Sequence, residues 1–176
     1  MPASWHTPSA YGGSAESLFA KNKYYANIGI GWASQKGGGN IVSIVPEVGR
    51  ILNKHASVGL SGRIMFYGTA NPGTLLNFHP YFRLQTSFPY AIPNIFVDIG
   101  FDFRRRAFDG GNIANYYMDF GIRPGLNIRV SDFVCIFLRG SFSGYQWSRE
   151  NGAETARWKL FRFDDFDHCV GVSFFF

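Results

Sequence analysis

Asn77-Phe78-His79-Pro80-Tyr81-Phe82-Arg83-Leu84-Gln85 alternates without a break. Phe78, Pro80, Phe82 and Leu84 fall on one face of an extended chain, and Asn77, His79, Tyr81, Arg83 and Gln85 on the other. Successive side chains of a β-strand point to opposite faces, so a period of two marks a strand with one apolar and one polar side. Downstream, Ile95, Val97, Ile99 and Phe101 oppose Asp98, Gly100, Asp102 and Arg104. Next, Met118, Phe120, Ile122, Leu126 and Ile128 oppose Asp119, Arg123, Asn127 and Arg129. Upstream, Val58, Leu60, Ile64 and Phe66 oppose Ser57, Ser61 and Arg63.

Working outward from these segments, the chain from residue 22 to 176 divides into eight runs rich in Val, Ile, Phe and Tyr. Turn chemistry separates them: Gln35 to Gly39, Asn53 to His55, Thr69 to Gly73, Pro89 to Pro93, Asp109 to Asn112, Ser131-Asp132 and Asn151 to Glu154. The turn centres lie roughly 16 to 21 residues apart, long enough for the 9–11-residue strands that cross a bilayer at a tilt. Strands of ordinary soluble sheets run nearer 5 or 6 residues.

Composition narrows the class further. The chain has 176 residues, enough for one domain of ordinary size. Charged residues make up 16% and aromatic residues 18%, a balance too poor in charge for disorder. No apolar run approaches the 18 or so residues of a membrane-spanning helix. The 17 Lys and Arg give a net charge of +5, but they are scattered rather than gathered into a stripe, so nucleic acid is not an expected partner. Two cysteines are too few for a disulfide scaffold and lack metal-ligand spacing.

Strands with two such faces could enclose their apolar side, as a lipocalin does, or present it to lipid. The polar face decides. It is rich in Gly, Ser and Asn with spaced Arg and Asp, whereas Lys is absent between residues 55 and 158 and Glu47 is the only Glu between Glu16 and Glu150. A solvated surface would carry Lys and Glu; small residues and paired charges suit a narrow lumen. The sequence therefore predicts an all-β, eight-stranded, antiparallel up-and-down transmembrane β-barrel over residues 22–176, with residues 1–21 as a periplasmic tail.

Several stretches resemble the small OmpX-like outer-membrane β-barrel proteins of Bacteroidota. They are Ile44-Val45-Pro46-Glu47-Val48-Gly49-Arg50-Ile51-Leu52, Gly59-Leu60, His79-Pro80-Tyr81-Phe82-Arg83 and Gly121-Ile122-Arg123-Pro124-Gly125-Leu126. The terminal Val170-Gly171-Val172-Ser173-Phe174-Phe175-Phe176 resembles the closing strand that the barrel-assembly machinery reads, with Phe174 and Phe176 as its signal. The resemblance implies the outer membrane of a Gram-negative bacterium, with numbering that starts after a removed leader. It also implies lipid and lipopolysaccharide as surroundings and, in some members, a larger outer-membrane complex as partner.

In a hairpin, opposed residues lie symmetrically about the turn, which allows registers to be estimated. Arg83 then opposes Asp98, Asp98 opposes Arg123, Arg123 opposes Arg139, and Arg139 opposes Asp165. Glu47 and Arg63 share their polar face. Together these residues form an expected lumen network, read as a structural plug because eight strands enclose only their own side chains. The same arithmetic sets Cys135 opposite Cys169; an oxidising compartment would permit a disulfide, and two packed thiols are the alternative. Arg104, Arg105 and Arg106 sit where the fifth strand meets the outer surface, where contact with lipopolysaccharide phosphates and a solvated rim are the two readings. Asp164-Asp165-Phe166-Asp167-His168 collects acids and an imidazole, but alternation sends them to opposite faces, and no metal or cofactor is expected. His55 and Ser57 lie close in sequence without an oxyanion arrangement, so no catalytic set is expected. The function expected is a structural or accessory barrel. A narrow channel or small-solute porin and a soluble lipocalin-like carrier stand as alternatives.

Overall fold

The computed structural model describes residues 22–35, 39–67, 73–86, 94–108, 115–131, 133–150, 153–160 and 168–176. The expected tail, Asp165 and most of the Asp164 to His168 cluster lie outside these residues. Ten strands follow one another: β1 (Tyr24–Gln35), β2 (Gly39–Asn53), β3 (Ala56–Tyr67), β4 (Gly73–Gln85), β5 (Asn94–Phe108), β6 (Asn115–Arg129), β7 (Val134–Arg139), β8 (Ser143–Glu150), β9 (Ala153–Lys159) and β10 (Cys169–Phe175). Each of β1 to β6 pairs antiparallel with the next. The end of β6 near the chain termini pairs with β7 and its other half with β8, so β7 and β8 make one wall. In the same way β9 lies beside β8 and β10 beside β7. β10 returns to β1 and closes the barrel. The result is the eight-walled, closed antiparallel barrel that the alternation predicts.

Closure removes the sheet edge, leaving an inside and an outside for each strand. The apolar series lies outside: Ile28, Ile30, Val42, Ile44, Phe78, Phe82, Phe101, Phe103, Phe120 and Ile122 are all exposed. Along β6 the outward series runs from Met118 to Val130. That is about 40 Å of strand, and a tilt near 40° reduces it to about 30 Å of height, close to the thickness of a hydrocarbon layer. Exposed apolar surface on this scale is foreign to a soluble monomer. The lipocalin-like arrangement is thereby corrected: Phe82 and Phe120 face outward while Arg83 and Asp98 are buried.

Small residues set how tightly the lumen closes. Tyr25, Gly49, Gly59, Tyr81, Gly100, Gly121 and Gly144 form one lateral row around the barrel. The Tyr25 ring lies over Gly49 and Tyr81 over Gly59, where any side chain would overlap the rings. Their hydroxyls meet at 2.6 Å. At the end where the termini lie, Tyr25, Ile51, Tyr81, Cys135 and Phe175 pack together as an apolar floor.

Alternation breaks within the wall made by β7 and β8. Between β7 and β8 the register against β6 advances by one residue, and Gly140–Phe142 leave the ladder. This is the signature of a β-bulge, one extra residue that flips the phase of all that follow. Leu138 points out and Arg139 in, yet Ser141, Phe142 and Ser143 are all buried. Phe142, due outside by alternation, is only 1% exposed and stands 5.6 Å from the Arg123 guanidinium.

The bulge and a wider turn revise two predicted registers. Val134 pairs with Val130 and Ser131 across the turn, so Arg139 faces Gly125 rather than Arg123. On the closing wall Arg139 faces Cys169, and Cys135 faces Ser173. The two cysteines therefore sit four residues apart along the wall, roughly 13 Å at strand rise, and both thiols are free. A turn-centre estimate made at the β8–β9 hairpin cannot cross the interruptions in both walls.

Candidate functional site: the charged lumen

The lumen is built from the inward members of each strand's alternation. Its buried charged residues are Glu47, Asp98, Asp102 and Asp119 against Arg63, Arg83, Arg123 and Arg139, four of each sign among the described residues. Arg104, half-buried, adds a fifth arginine; burying an unpaired charge is very costly, so each carboxylate must find an arginine to be enclosed.

Two clusters share them. In the one nearer the termini, Arg83 donates to Asp98 through Nε at 2.6 Å and Nη2 at 3.0 Å. Such a two-bond geometry joins a planar fork to a carboxylate. The same Nη2 reaches Glu47 Oε1 at 2.9 Å. Glu47 also accepts from Arg139 Nη2, from the Tyr81 hydroxyl at 2.5 Å and from Asn27 Nδ2 at 2.7 Å. Arg139 Nε lies 3.5 Å from Asp98 Oδ2. Arg83 further covers the Phe96 ring at 4.1 Å, a contact in which a weakly hydrated guanidinium is favoured over an ammonium.

The second cluster lies nearer the long connections. Arg123 Nη2 donates to Asp102 Oδ2 at 2.6 Å. Arg104 Nη2 and, at 3.4 Å, Gln146 Nε2 reach Asp119 Oδ2. Between the clusters His79 donates from Nδ1 to the Phe101 carbonyl at 2.6 Å; a carbonyl only accepts, so the proton sits on Nδ1.

The structure thus gathers Glu47, Arg83, Asp98 and Arg139, and separately Asp102, Asp119, Arg104 and Arg123. Asp98 is opposite both Arg83 and Arg123 on its neighbouring strands, though Arg123 bonds to Asp102. Arg63 is buried on the lumen face of β3 opposite Asn77. Register reasoning missed the central place of Glu47, whose arginine partners come from β4 and β7 across the lumen rather than from strands beside it. Its signal was being the lone acid on a long polar face.

The three-arginine stretch divides. Arg104 turns inward to Asp119, which removes it from the proposed phosphate contact; Arg105 is exposed on the outer face, and the Arg106 side chain lies outside the described residues. Phe174 and Phe176 are exposed on the outer face, with Phe175 buried between them. His55 is exposed at its turn while Ser57 is buried in β3. Among the described residues no three His, Cys, Asp or Glu side chains converge as for a metal ion.

Among solved structures, the crystal structure of Neisserial surface protein A (NspA) superposes with a TM-score of 0.58. The match covers 87% of this chain and 96% of that one at 14% identity. The barrel fold is shared. No protein-family model and no curated protein matches the sequence.

Proposed function

We propose that the chain is an integral β-barrel of a Gram-negative outer membrane, with a structural or accessory role performed by its walls and outer connections rather than through its lumen. The observation that carries this reading is the plug: Glu47 and Asp98 interlock with Arg83 and Arg139, and Asp102 and Asp119 with Arg123 and Arg104, across the lumen above an apolar floor. A passage for solutes needs a water-filled lumen, as in wider barrels, and here side chains fill the space. With both described ends of the chain at one end of the barrel, that end faces the periplasm and the connections after β1, β3, β5 and β8 lie at the opposite, outer end. Outer-leaflet lipopolysaccharide surrounds the opposite rim, where Arg105 stands at the top of an outward series ending in Phe103. Seated in this way, the barrel suits an accessory place against a larger outer-membrane complex, and the exposed Phe174 and Phe176 suit recognition during insertion.

Planar-bilayer recording of the purified barrel tests the plug. The expected record is silent at 100 mV in 1 M salt. Reproducible ohmic steps would overturn the reading in favour of a narrow channel.

A further inference from the structure

Among the described residues, the outward series of β1 to β4 holds a single charged side chain, Arg50. Along β2 it stands between Val48 and Leu52, both more than half exposed, and on the neighbouring strands it faces Tyr24 and Val58. A guanidinium set into an apolar face needs an anion, from its own chain or from outside it. Arg50 is exposed, and none of the described residues bonds to its side chain. The acids nearest in the wall are turned away: Glu47, Asp98, Asp102 and Asp119 all point into the lumen. At the barrel end where the termini lie, no described Asp or Glu side chain is exposed.

The aromatic residues beside Arg50 fix its height. Tyr24 stacks on Phe176 with ring centroids 6.4 Å apart, and both rings are exposed on the outer face. Such rings collect where hydrocarbon meets headgroups. Arg50 lies three residues before Asn53, where β2 ends, which is about 10 Å along the strand and less in height because the strand tilts. The arginine stem reaches from apolar surroundings to the headgroup level over such a distance. Lys23, beside Tyr24, and Lys54, at the turn after β2, are exposed at the same end, so three exposed cations share this rim.

We propose that the rim binds the headgroup of an anionic glycerophospholipid, with Arg50 donating to its phosphate and Lys23 and Lys54 adding attraction. A planar guanidinium gives two parallel hydrogen bonds to phosphate oxygens. A headgroup of net negative charge supplies the anion that the rim lacks, whereas a zwitterionic one carries its own cation. This rests on the membrane reading above, which sets this end of the barrel at the inner leaflet.

Native mass spectrometry of the full barrel, released from vesicles of equal parts phosphatidylglycerol and phosphatidylcholine, tests it by counting which lipid stays bound. Wild type should retain phosphatidylglycerol over phosphatidylcholine by about fivefold, the scale of one basic side chain at an anionic surface. Arg50→Gln should bring the ratio close to one, Arg50→Lys should keep part of the preference, and Lys23→Gln with Lys54→Gln should lower it while Arg50 stays in place. Arg149→Gln, which removes an exposed arginine of β8 at the opposite end, should leave it unchanged. A wild-type ratio near one, or a preference that survives both Arg50→Gln and the double lysine variant, would overturn the site. An equal loss in Arg149→Gln would overturn its location, and displacement of the lipid by inorganic phosphate would overturn the lipid as ligand. Failure of the wild-type barrel to enter vesicles would instead overturn the membrane reading, and the headgroup site with it.

Discussion

Asp98 shows what enclosure does to a single charge. It is wholly buried, takes two hydrogen bonds from Arg83 and has Arg139 close by. Glu47 closes the set, so the four residues form a neutral group rather than two separate pairs. Asp98→Asn removes one negative charge and leaves two guanidiniums facing one carboxylate, a loss expected to cost about 3–5 kcal/mol. Asp98→Asn combined with Arg83→Met restores neutrality, since Glu47 and Arg139 still match. The double variant should therefore be more stable than Asp98→Asn alone, measured by urea titration of the barrel in vesicles. An additive double variant would show that the charges act independently. The Arg83 and Asp98 pairing was legible because both residues flank one turn and alternate cleanly. The role of Glu47 was not, because a hairpin register reports neighbouring strands only, and Glu47 is bridged across the lumen.

At the scale of an element, the β7–β8 wall carries the information that alternation hides. One extra residue at Gly140–Phe142 reverses the phase, so Phe142 enters the lumen beside Arg123 and Gly121. Read by period alone, Phe142 and Phe120 are both outward aromatics, yet only Phe120 is exposed. Their alanine variants should separate. Phe142→Ala opens a cavity in a packed lumen and is expected to cost about 3–5 kcal/mol. Phe120→Ala exchanges one lipid-facing side chain for a smaller one, of order 1 kcal/mol or less. Equal losses in the same urea titration would place Phe142 outside and remove the bulge. The strands themselves were legible because each has a long, uninterrupted period. The bulge was not, since Gly-Ser-Phe-Ser at 140–143 fits either phase and only pairing with both halves of β6 fixes it. The misplaced opposition of Cys135 and Cys169 has this same cause: an estimate carried from the β8–β9 hairpin passes through the phase change.

For the whole molecule, the decisive quantity is the medium outside the wall. If hydrocarbon surrounds it, the cost of a charge must depend on height, because a guanidinium near an interface reaches water and one at mid-height does not. One outward series supplies both positions: Ile122 lies well within β6, and Val130, the residue just after β6, ends the series at the barrel end near the termini. Ile122→Arg is expected to destabilise the barrel by about 2–4 kcal/mol and Val130→Arg by about 0–1 kcal/mol. Both substitutions leave the lumen untouched, so the difference between them reports the surroundings and not the packing. In water the two would be alike and nearly neutral, as surface changes usually are. A height-dependent penalty from folding titrations in vesicles would thus join the outward apolar series to its cause: lipid takes the place of a core on the outside, which frees the inside to hold a network of paired charges.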